Sequence, residues 1–529
     1  MPHTAAALRF HLAESATDPL VLLGDQTHAH YMRSYLSDQL ARVIVEEPHY
    51  FDRDYLAEFG AFYAASARGY PNDCRRLSFF DNTLADVALF RSCFDQALGG
   101  DVKAGEKLQA AFLGFIVLRP IAAAPFGRTV LKSYRPEPGA LARVMEPCRP
   151  YYIHLAGQRL RVDGLAWQQQ DRGVSACATI ALWSMLHSSA FHERHSIPTT
   201  VDVTRAAHRT ASLGRRVFPS AGLLIEQLLE AIKEQHLSPI ILGGDREIIL
   251  DQVPIAAFTQ ERFCGTCAAL LRSGYPVLIE GVRGGGHAVC AVGFRPAPSP
   301  SIAEGSSSLE DAAFKYLYIH DDNIGPSVRF RVEVNPIHNV VQLVPDAPAP
   351  PAGTTRPVPD PCVGIEPLIP RSIVVAVHDD VRVTPDRIHE EALVSAEMLA
   401  FVLGLAQHGM GPASLPLNGG VGVAPKFVRL SRYLAEELRP VVAPALLARV
   451  KLALCEDVVP MSYHVAVARF GVEGTALLDV IYDTTETELT CAPFAHVVFT
   501  PLADQMVDTL TQSDPEERRR LFGEVVRAY

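Results

Sequence analysis

The sequence predicts an α+β protein of several domains, and three observations lead to that prediction. Residues 167–187 pass from a polar segment into an almost wholly apolar run, which indicates a buried helix. Residues 276–344 then alternate apolar stretches with turn residues, which predicts a largely antiparallel sheet. Helices that precede such a sheet are typical of the α+β class. At 529 residues the chain is also too long for a single hydrophobic core, so we expect two to four domains.

The composition is that of an ordinary soluble globular protein, with 48% hydrophobic and 20% charged residues. The net charge of −11 argues against broad binding to nucleic acid or to an anionic membrane. The first residues lack a basic start followed by an apolar core, so we expect no signal peptide. Ten irregularly spaced cysteines do not form the pattern of a disulfide framework. We therefore expect a cytoplasmic protein with reduced thiols and with no nucleic-acid or membrane partner; the sequence leaves the oligomeric state open.

Residues 1–150 are predicted to form an accessory α+β domain. The hydrophobic pattern predicts helices over residues 31–44, 54–65 and 85–97 and a buried strand over residues 110–118. The segment has no nucleotide-binding loop, metal-ligand spacing or nucleophile–base pattern, so we assign no chemistry to it.

Residues 151–343 are predicted to form the central domain, in which helices come first and strands follow. The apolar helix begins near Cys177, and a second helix is expected after Ser220, a suitable N-cap residue. A proline- and serine-rich insertion, residues 296–311, is predicted to be a flexible surface loop. Five strands are expected, and the run RGGG joins the first two: residues 276–282, 287–294, 314–321, 328–334 and 340–344.

Residues 344–370 are predicted to be a linker, because residues 344–361 contain seven prolines in eighteen positions. Such a stiff, solvated segment marks a domain boundary, and we expect residues 1–345 to fold without the rest of the chain. Residues 371–529 are then a C-terminal α+β domain. Its expected strands are residues 372–377, 464–470 and 476–482.

Cys177 is the first candidate for chemistry, because it stands at the first turn of the predicted buried helix. Unpaired backbone N–H groups and the positive end of the helix dipole favour a thiolate over a thiol there. A thiolate is the nucleophile that acyl transfer needs. The alternative is a cysteine that only fills space, so the assignment depends on partner residues.

His287 is the candidate base, and Asp321 is the candidate acid that orients it. His287 begins one predicted strand directly after three glycines, and Asp321 and Asp322 end the next strand of the sheet. In an antiparallel pair the start of one strand lies beside the end of its neighbour, so His287 and Asp321 should be close. A carboxylate there can fix the imidazole tautomer and stabilise the imidazolium.

A run of three glutamines precedes Cys177 and offers a donor for the oxyanion of a tetrahedral intermediate. A side-chain amide from this run, together with the Cys177 backbone N–H, would form an oxyanion hole. Gln170 is nearest to the cysteine and is the first choice; Gln168 and Gln169 are the alternatives.

The order of these residues resembles the papain superfamily of cysteine peptidases, and in particular the branch of bacteriocin-processing peptidases that remove double-glycine leaders. The resemblance covers about residues 165–345. It is carried by Gln170, by Cys177 on a buried helix, by His287 in GGHAVCAVGF and by Asp321 in YIHDDNIG. It implies a papain-like fold, in which helices pack on an antiparallel sheet, with a Gln, Cys, His and Asp site.

The family pattern bears on two choices that the residues leave open. In the family the acid follows a short strand and precedes a turn glycine; Gly325 takes that place here, which favours Asp321 over Asp322. The glutamine-to-cysteine spacing is one residue longer than is usual in the family, so the other two glutamines stay alternatives to Gln170. The alanine after Cys177 replaces the family's frequent glycine.

These observations predict a thiol-dependent hydrolase, a peptidase or isopeptidase that acts on a protein or peptide substrate through a Cys177 thioester. An acyltransferase or a glutamine deamidase would share the thioester and differ in the leaving group and acceptor. A non-catalytic interaction module on the same fold is the third alternative. None of these functions needs a cofactor or a metal ion, so we expect neither.

Three other features are expected to be structural. Cys264 and Cys267 form a CxxC pair, but no second pair follows at the spacing of a zinc site. The run GGVGVAPK lacks the Gly-Lys-Ser/Thr order of a phosphate-binding loop. His464 with Asp479 and Asp483 lacks a nucleophile, so we expect these residues to be satisfied within strands.

Overall fold

The computed structural model of the chain describes residues 8–171, 173–191, 196–209, 217–220, 222–250, 252–298, 301–346, 360–408, 419–458, 461–485 and 493–529. These residues confirm the α+β class, with helices and mostly antiparallel sheets. The chain divides into two units. The first comprises residues 1–258, 274–295 and 316–376, and the second comprises residues 259–273, 296–315 and 377–529. The chain therefore passes five times between the units, and the predicted boundary after residue 150 lies inside the first unit.

The N-terminal part of the first unit is a five-stranded antiparallel sheet in the order β1-β2-β3-β4-β5, with four helices and a separate hairpin. In its core the buried ring of Phe80 contacts the buried rings of Phe90 and Phe112. The elements are β1 (Arg9–Leu12), α1 (Thr27–Asp38), β2 (Ala41–Tyr50), α2 (Arg53–Ala61), β3 (Cys74–Asp81), α3 (Val87–Leu98), α4 (Val102–Ala111), β4 (Phe112–Leu118), β5 (Phe126–Leu131) and the hairpin β6 (Arg149–Leu155) and β7 (Gln158–Gly164).

The next part carries the apolar helix that the sequence predicts. Every residue of that helix after Cys177 is buried, as expected of a helix without a polar face. The predicted N-cap at Ser220 is wrong, because the following helix begins only at Ile225, after Leu224. The elements are α5 (Cys177–Leu186), α6 (Thr200–Ala207), α7 (Ile225–Lys233), β8 (Ser238–Gly243), β9 (Arg246–Leu250) and β10 (Val253–Ala257).

A seven-stranded sheet completes the first unit, in the order β16-β15-β14-β12-β11-β17-β8. Each of the five predicted strands is present with bounds shifted by at most three residues. The elements from residue 259 to residue 377 are α8 (Gln260–Arg272), β11 (Val277–Val282), β12 (Gly286–Pro296), β13 (Ser307–Leu309), β14 (Phe314–Asp321), β15 (Gly325–Val334), β16 (Val341–Asp346) and β17 (Ile369–Val377).

The predicted linker does not separate the two units. Its central part, residues 347–359, lies outside the described residues, but its two ends belong to β16 and β17 of the same sheet. β17 pairs antiparallel with β11, so Ile373 stands opposite Ile279 in the middle of the sheet. The last passage of the chain into the second unit lies instead between residues 376 and 377.

The second unit is built on a six-stranded sheet in the order β13-β18-β19-β20-β21-β22. The insertion predicted to be a flexible loop supplies β13, which pairs in parallel with β18. No helix among the described residues is long and apolar enough to span a membrane. The remaining elements are α9 (Pro385–Gln407), β18 (Val421–Arg429), α10 (Leu430–Arg432), α11 (Pro444–Glu456), β19 (His464–Val472), β20 (Thr475–Asp483), β21 (Pro493–Val498), α12 (Pro501–Leu510), α13 (Pro515–Phe522) and β22 (Glu524–Arg527).

Candidate active site

Cys177 is the first residue of α5, and the extended backbone of Ala176 precedes it as the N-cap. The rest of the helix is buried, whereas Cys177 is partly exposed and lines a cavity of about 760 Å³. His287 lines the same cavity. The thiol therefore lies at the helix N-terminus, where the first backbone N–H groups have no partner within the helix. A molecule in the cavity can reach it there.

His287 and Asp321 are in contact, as the predicted strand arrangement requires. His287 lies near the start of β12 and Asp321 at the end of β14, and these strands are neighbours in the sheet. His287 Nε2 lies 3.3 Å from Asp321 Oδ1, and both side chains are buried. The Cys177 side chain also interacts with the imidazole. The structure thus brings together the three residues that the sequence singles out.

The electrostatics of this group favour a protonated imidazole. Burial by itself lowers the pKa of His287, but the charge of Asp321 and the hydrogen bonds to Asp321 and Cys177 outweigh it and raise the pKa to about 10. Burial likewise opposes ionisation of Asp321, yet the positive charges of His287 and Arg283 hold its pKa well below the usual value. The site therefore keeps an imidazolium–carboxylate pair at neutral pH.

Arg283 is a member of the site that the sequence does not reveal. Its Nη1 lies 2.6 Å from Asp321 Oδ2, on the carboxylate oxygen that His287 does not use. The residue belongs to the RGGG run, whose pattern predicts only a turn. The turn joins β11 to β12. The segment that leads into His287 therefore also contains Arg283, the cation that is paired with Asp321.

Asp322 is the neighbour that sequence reasoning kept as an alternative acid. Its Oδ1 lies 3.8 Å from His287 Nε2, longer than a hydrogen bond. The side chain is buried, and neither oxygen accepts a hydrogen bond from another described residue. Burial raises the pKa of Asp322 to about 7, with a further contribution from the charge of Asp321. Asp321 is therefore the better orienting acid.

His287 and the two aspartates are the only group in the described part of the chain with the arrangement of a metal site. Ligand atoms of His287, Asp321 and Asp322 all lie within 4.8 Å of one another. Arg283, however, already neutralises Asp321 at 2.6 Å. A metal ion would have to displace both this guanidinium and the imidazole proton, so the arrangement fits an ion-paired acid better than a metal centre.

The three glutamines take different places. Gln168 is buried and its Nε2 donates to Glu58 Oε1 at 2.5 Å. Gln169 is buried and its Nε2 donates to Nδ1 of His28 at 3.2 Å. Gln170 is partly exposed, and it lines a second cavity of about 730 Å³ together with Cys177. Gln169 lines this cavity as well, and Gln170 Nε2 donates to Asn323 Oδ1 at 2.5 Å; Gln170 is the more exposed of the two amides on the side of Cys177.

A buried ionic network holds the segment between the glutamines and Cys177. Arg119 Nη1 lies 2.8 Å from Glu58 Oε2 and 3.5 Å from Asp171 Oδ2, and all three side chains are almost inaccessible to solvent. Glu58 Oε1 also accepts hydrogen bonds from the hydroxyl groups of Ser175 and Thr200. Glu58 and Arg119 come from the N-terminal part of the unit, so that part fixes the loop that carries the site.

Asp171 shapes the loop itself. Its Oδ1 accepts hydrogen bonds from the backbone N–H groups of Gly173, Val174 and Ser175, at 2.8, 2.6 and 3.0 Å. Gly173 is held against the ring of Phe62, where a Cβ atom would lie 2.7 Å from Cδ1. The absence of a side chain at this position therefore lets the loop approach the N-terminal part of the unit.

The turn that follows Asp321 is held by the N-terminal helix α1 and by Trp167. Trp167 Nε1 donates to the Asp321 carbonyl oxygen at 3.0 Å, and His28 Nε2 donates to the Asp322 carbonyl oxygen at 2.9 Å. The Tyr31 ring packs so closely on Gly325 that a Cβ there would lie 2.1 Å from Cδ1. Contact with Tyr31 thus explains why glycine stands after the acid.

The features that were expected to be structural lie in the second unit. Cys264 and Cys267 are completely buried in α8, and burial raises the pKa of both thiols. His464 Nδ1 is bonded to Asp380 at 2.8 Å, rather than to the aspartates named from the sequence. Asp479 instead accepts from Arg469 and Tyr433, and Asp483 from Thr485. All nine cysteines among the described residues are free thiols.

No protein-family model matches the chain, and no curated protein matches it at a significant level of sequence similarity.

Proposed function

We propose that this protein is a cysteine-dependent hydrolase of papain-like type that cleaves peptide or isopeptide bonds. The observation that carries the proposal is the contact set around His287. This imidazole interacts with a thiol at a helix N-terminus on one side and with a buried, arginine-bound carboxylate on the other. Nucleophile, base and orienting acid are the parts that acyl transfer through a thioester requires.

In the proposed reaction the Cys177 thiolate attacks the scissile carbonyl carbon and forms a C–S bond. The oxyanion accepts hydrogen bonds from the Cys177 backbone N–H and the Gln170 amide. Collapse of this intermediate breaks the C–N bond, and His287 gives its proton to the leaving amine. Water then attacks the thioester, His287 takes one of its protons, and the carboxylic acid leaves as the thiolate is restored.

Asp321 serves this sequence by keeping the imidazole charged and correctly turned. Its Oδ1 is bound at Nε2, which directs Nδ1 towards the thiol. Arg283 helps to keep the acid ionised, because the charge of His287 and, after it, that of the guanidinium hold the pKa of Asp321 low. Glu58, Arg119 and Asp171 act through the loop and are positioning residues.

Alkylation of the full-length protein by iodoacetamide tests the proposal, with Cys455 as an internal control. Cys455 is an exposed thiol of the same chain. Mass spectrometry should find Cys177 modified faster than Cys455 at pH 6, because a charged imidazolium beside the sulfur makes a cysteine a better nucleophile. His287→Gln should remove this advantage and leave the rate at Cys455 unchanged. Equal rates at the two cysteines in the wild-type protein would contradict the proposal.

A further inference from the structure

Two cavities of similar size meet at Cys177. One holds about 760 Å³ and contains His287, and we call it the His287 cavity; the other holds about 730 Å³ and contains Gln170 and three aromatic rings, and we call it the aromatic cavity. Both are open clefts, and each has the volume of a site for a drug-sized molecule. The nucleophile therefore lies between two binding spaces and not at the bottom of one.

The His287 cavity is mainly aliphatic. Its apolar lining comes from α7 and from strands β8 and β11 and includes Leu224, Leu228, Ile241 and Leu278. Besides His287, its charged lining residues are Glu226, Glu280 and Arg371; Arg371 lies 3.5 Å from Glu280, so those two charges largely cancel. A ligand would therefore bind in this cavity mainly by burying apolar surface.

The N-terminal part of the unit supplies the apolar and aromatic wall of the aromatic cavity. Phe62, Tyr63 and Tyr70 form one wall, in which neighbouring ring centroids lie 5.3 and 4.9 Å apart in edge-on contacts. Ile121 and Ala123 contribute from the segment between β4 and β5. This wall presents ring edges and faces to a ligand, an arrangement that favours an apolar or aromatic side chain.

The two cavities share Cys177 and Gly222. Gly222 has φ of +107°, a conformation that glycine adopts without strain, and it leaves the space beside it empty. A ligand can therefore continue from one cavity into the other past the sulfur atom. A small amide would fill one cavity only, whereas an extended polypeptide would use both.

We propose that the substrate is an extended polypeptide segment that occupies both cavities and is cut at an internal bond. The N-terminal part of the unit then supplies a substrate-binding site, the aromatic cavity, for an apolar or aromatic side chain on one side of that bond. The His287 cavity takes an aliphatic side chain on the other side. This inference rests on the proposed function, since it places the scissile carbonyl at Cys177.

Matched charge substitutions at exposed lining residues test the inference. Ala123→Glu places a carboxylate in the aromatic cavity, and Ile241→Glu places one in the His287 cavity; both residues are exposed. The full-length variants are assayed on a library of internally quenched peptides of eight residues with both ends blocked. Ile337→Glu is the control, because Ile337 is 83% exposed and lines neither cavity.

The wild-type protein should cut internal bonds and prefer apolar residues on both sides of the cut. Each cavity variant should raise the preference for Lys or Arg about threefold to fivefold at one position of the substrate peptide. This is the size of effect that an exposed ion pair produces. The two positions should lie on opposite sides of the cut. Tyr70→Ala should lower the preference for aromatic residues about threefold to tenfold on the side that Ala123→Glu affects.

Three outcomes would overturn the inference. The first is a change of preference on the same side of the cut in both cavity variants. The second is cleavage of dipeptide amides as fast as cleavage of the eight-residue peptides. The third is a library that stays uncut although Cys177 is alkylated rapidly. The last two leave the proposed function standing. Loss of the rapid alkylation itself would refute the proposed function, and this inference with it.

Discussion

His287 Nε2 lies 3.3 Å from Asp321 Oδ1, although 34 positions of the chain separate the two residues. Two neighbouring strands and the Arg283 turn create this contact. Because of this contact, the protonation state of His287 depends on the charge of the Asp321 carboxylate.

Asp321→Asn should lower kcat/KM by about 10²-fold or more, yet less than loss of Cys177, because an amide can still orient the ring but cannot stabilise the imidazolium. The pKa of His287 should fall from about 10, since the charge that raises it is gone. The alkaline limb of the pH–rate profile should therefore move to lower pH. Asp322→Asn is the comparison; an equal shift in that variant would show that Asp322 shares the role.

Cys177→Ala should reduce hydrolysis by about 10³-fold or more and leave the fold intact. Cys177 is partly exposed at a helix end, so loss of its sulfur should change the free energy of unfolding by less than about 1 kcal/mol. Circular dichroism and denaturant unfolding measure the fold, and peptide hydrolysis measures activity. Full hydrolysis by the variant would exclude Cys177 as the nucleophile.

Stability should depend on pH through His287. Its pKa in the folded chain, about 10, lies above the ordinary value of 6.5. The stabilisation is therefore complete below pH 6.5 and is lost as the pH rises towards 10. Denaturant unfolding of the wild type and of His287→Gln should give a difference between the two proteins that shrinks between pH 6.5 and pH 10. A constant difference over this range would contradict the assignment of the charge.

Glu58→Gln should destabilise the first unit by about 3–5 kcal/mol, because it removes the nearer of the two carboxylates that pair with the buried Arg119 guanidinium. Peptide hydrolysis should fall as well, since the network holds the loop before Cys177. The double substitution Glu58→Gln with Arg119→Met should recover part of the stability. Arg161→Ala is the control and removes an exposed ion pair with Asp163. It should change neither the free energy of unfolding nor the rate of peptide hydrolysis measurably.

Gly173→Ala should lower activity, because the new Cβ would lie 2.7 Å from the Phe62 ring and displace the loop that leads to Cys177. Gly60→Ala is the matched control. A Cβ there meets nothing within 4 Å, and the position lies within α2, so this change should stabilise the protein by about 0.5–1 kcal/mol. Unchanged hydrolysis by Gly173→Ala would show that the loop can relax around a methyl group.

Local patterns of the sequence sufficed for the elements that carry the site. The helix at Cys177 is apolar on every side, and the strand that ends at Asp321 has the bounds that its alternation predicts. The Asp321 contact could be predicted because strand order and an antiparallel pairing fix which ends meet. These arguments need only residues that are neighbours in the chain or in adjacent strands.

Other parts of the site depend on long-range packing that the sequence does not encode locally. Arg119 meets Glu58 and Asp171 from 61 and 52 positions away, and no pattern around Glu58 distinguishes it from a surface glutamate. The choice among the glutamines likewise depended on where the buried partners of Gln168 and Gln169 lie. The composition of the proline-rich segment likewise does not reveal that β17, which follows it, returns to the sheet.

The five passages of the chain between the units have a consequence for biosynthesis. α8 carries buried Phe263 and Leu270, and it belongs to a unit whose main part, residues 377–529, is made later. At about 5–20 residues per second, the ribosome needs on the order of ten seconds to synthesise residues 273–376. During that interval the apolar face of α8 lacks its final partners, and the nascent chain depends on chaperones or on transient contacts to keep that face from aggregating.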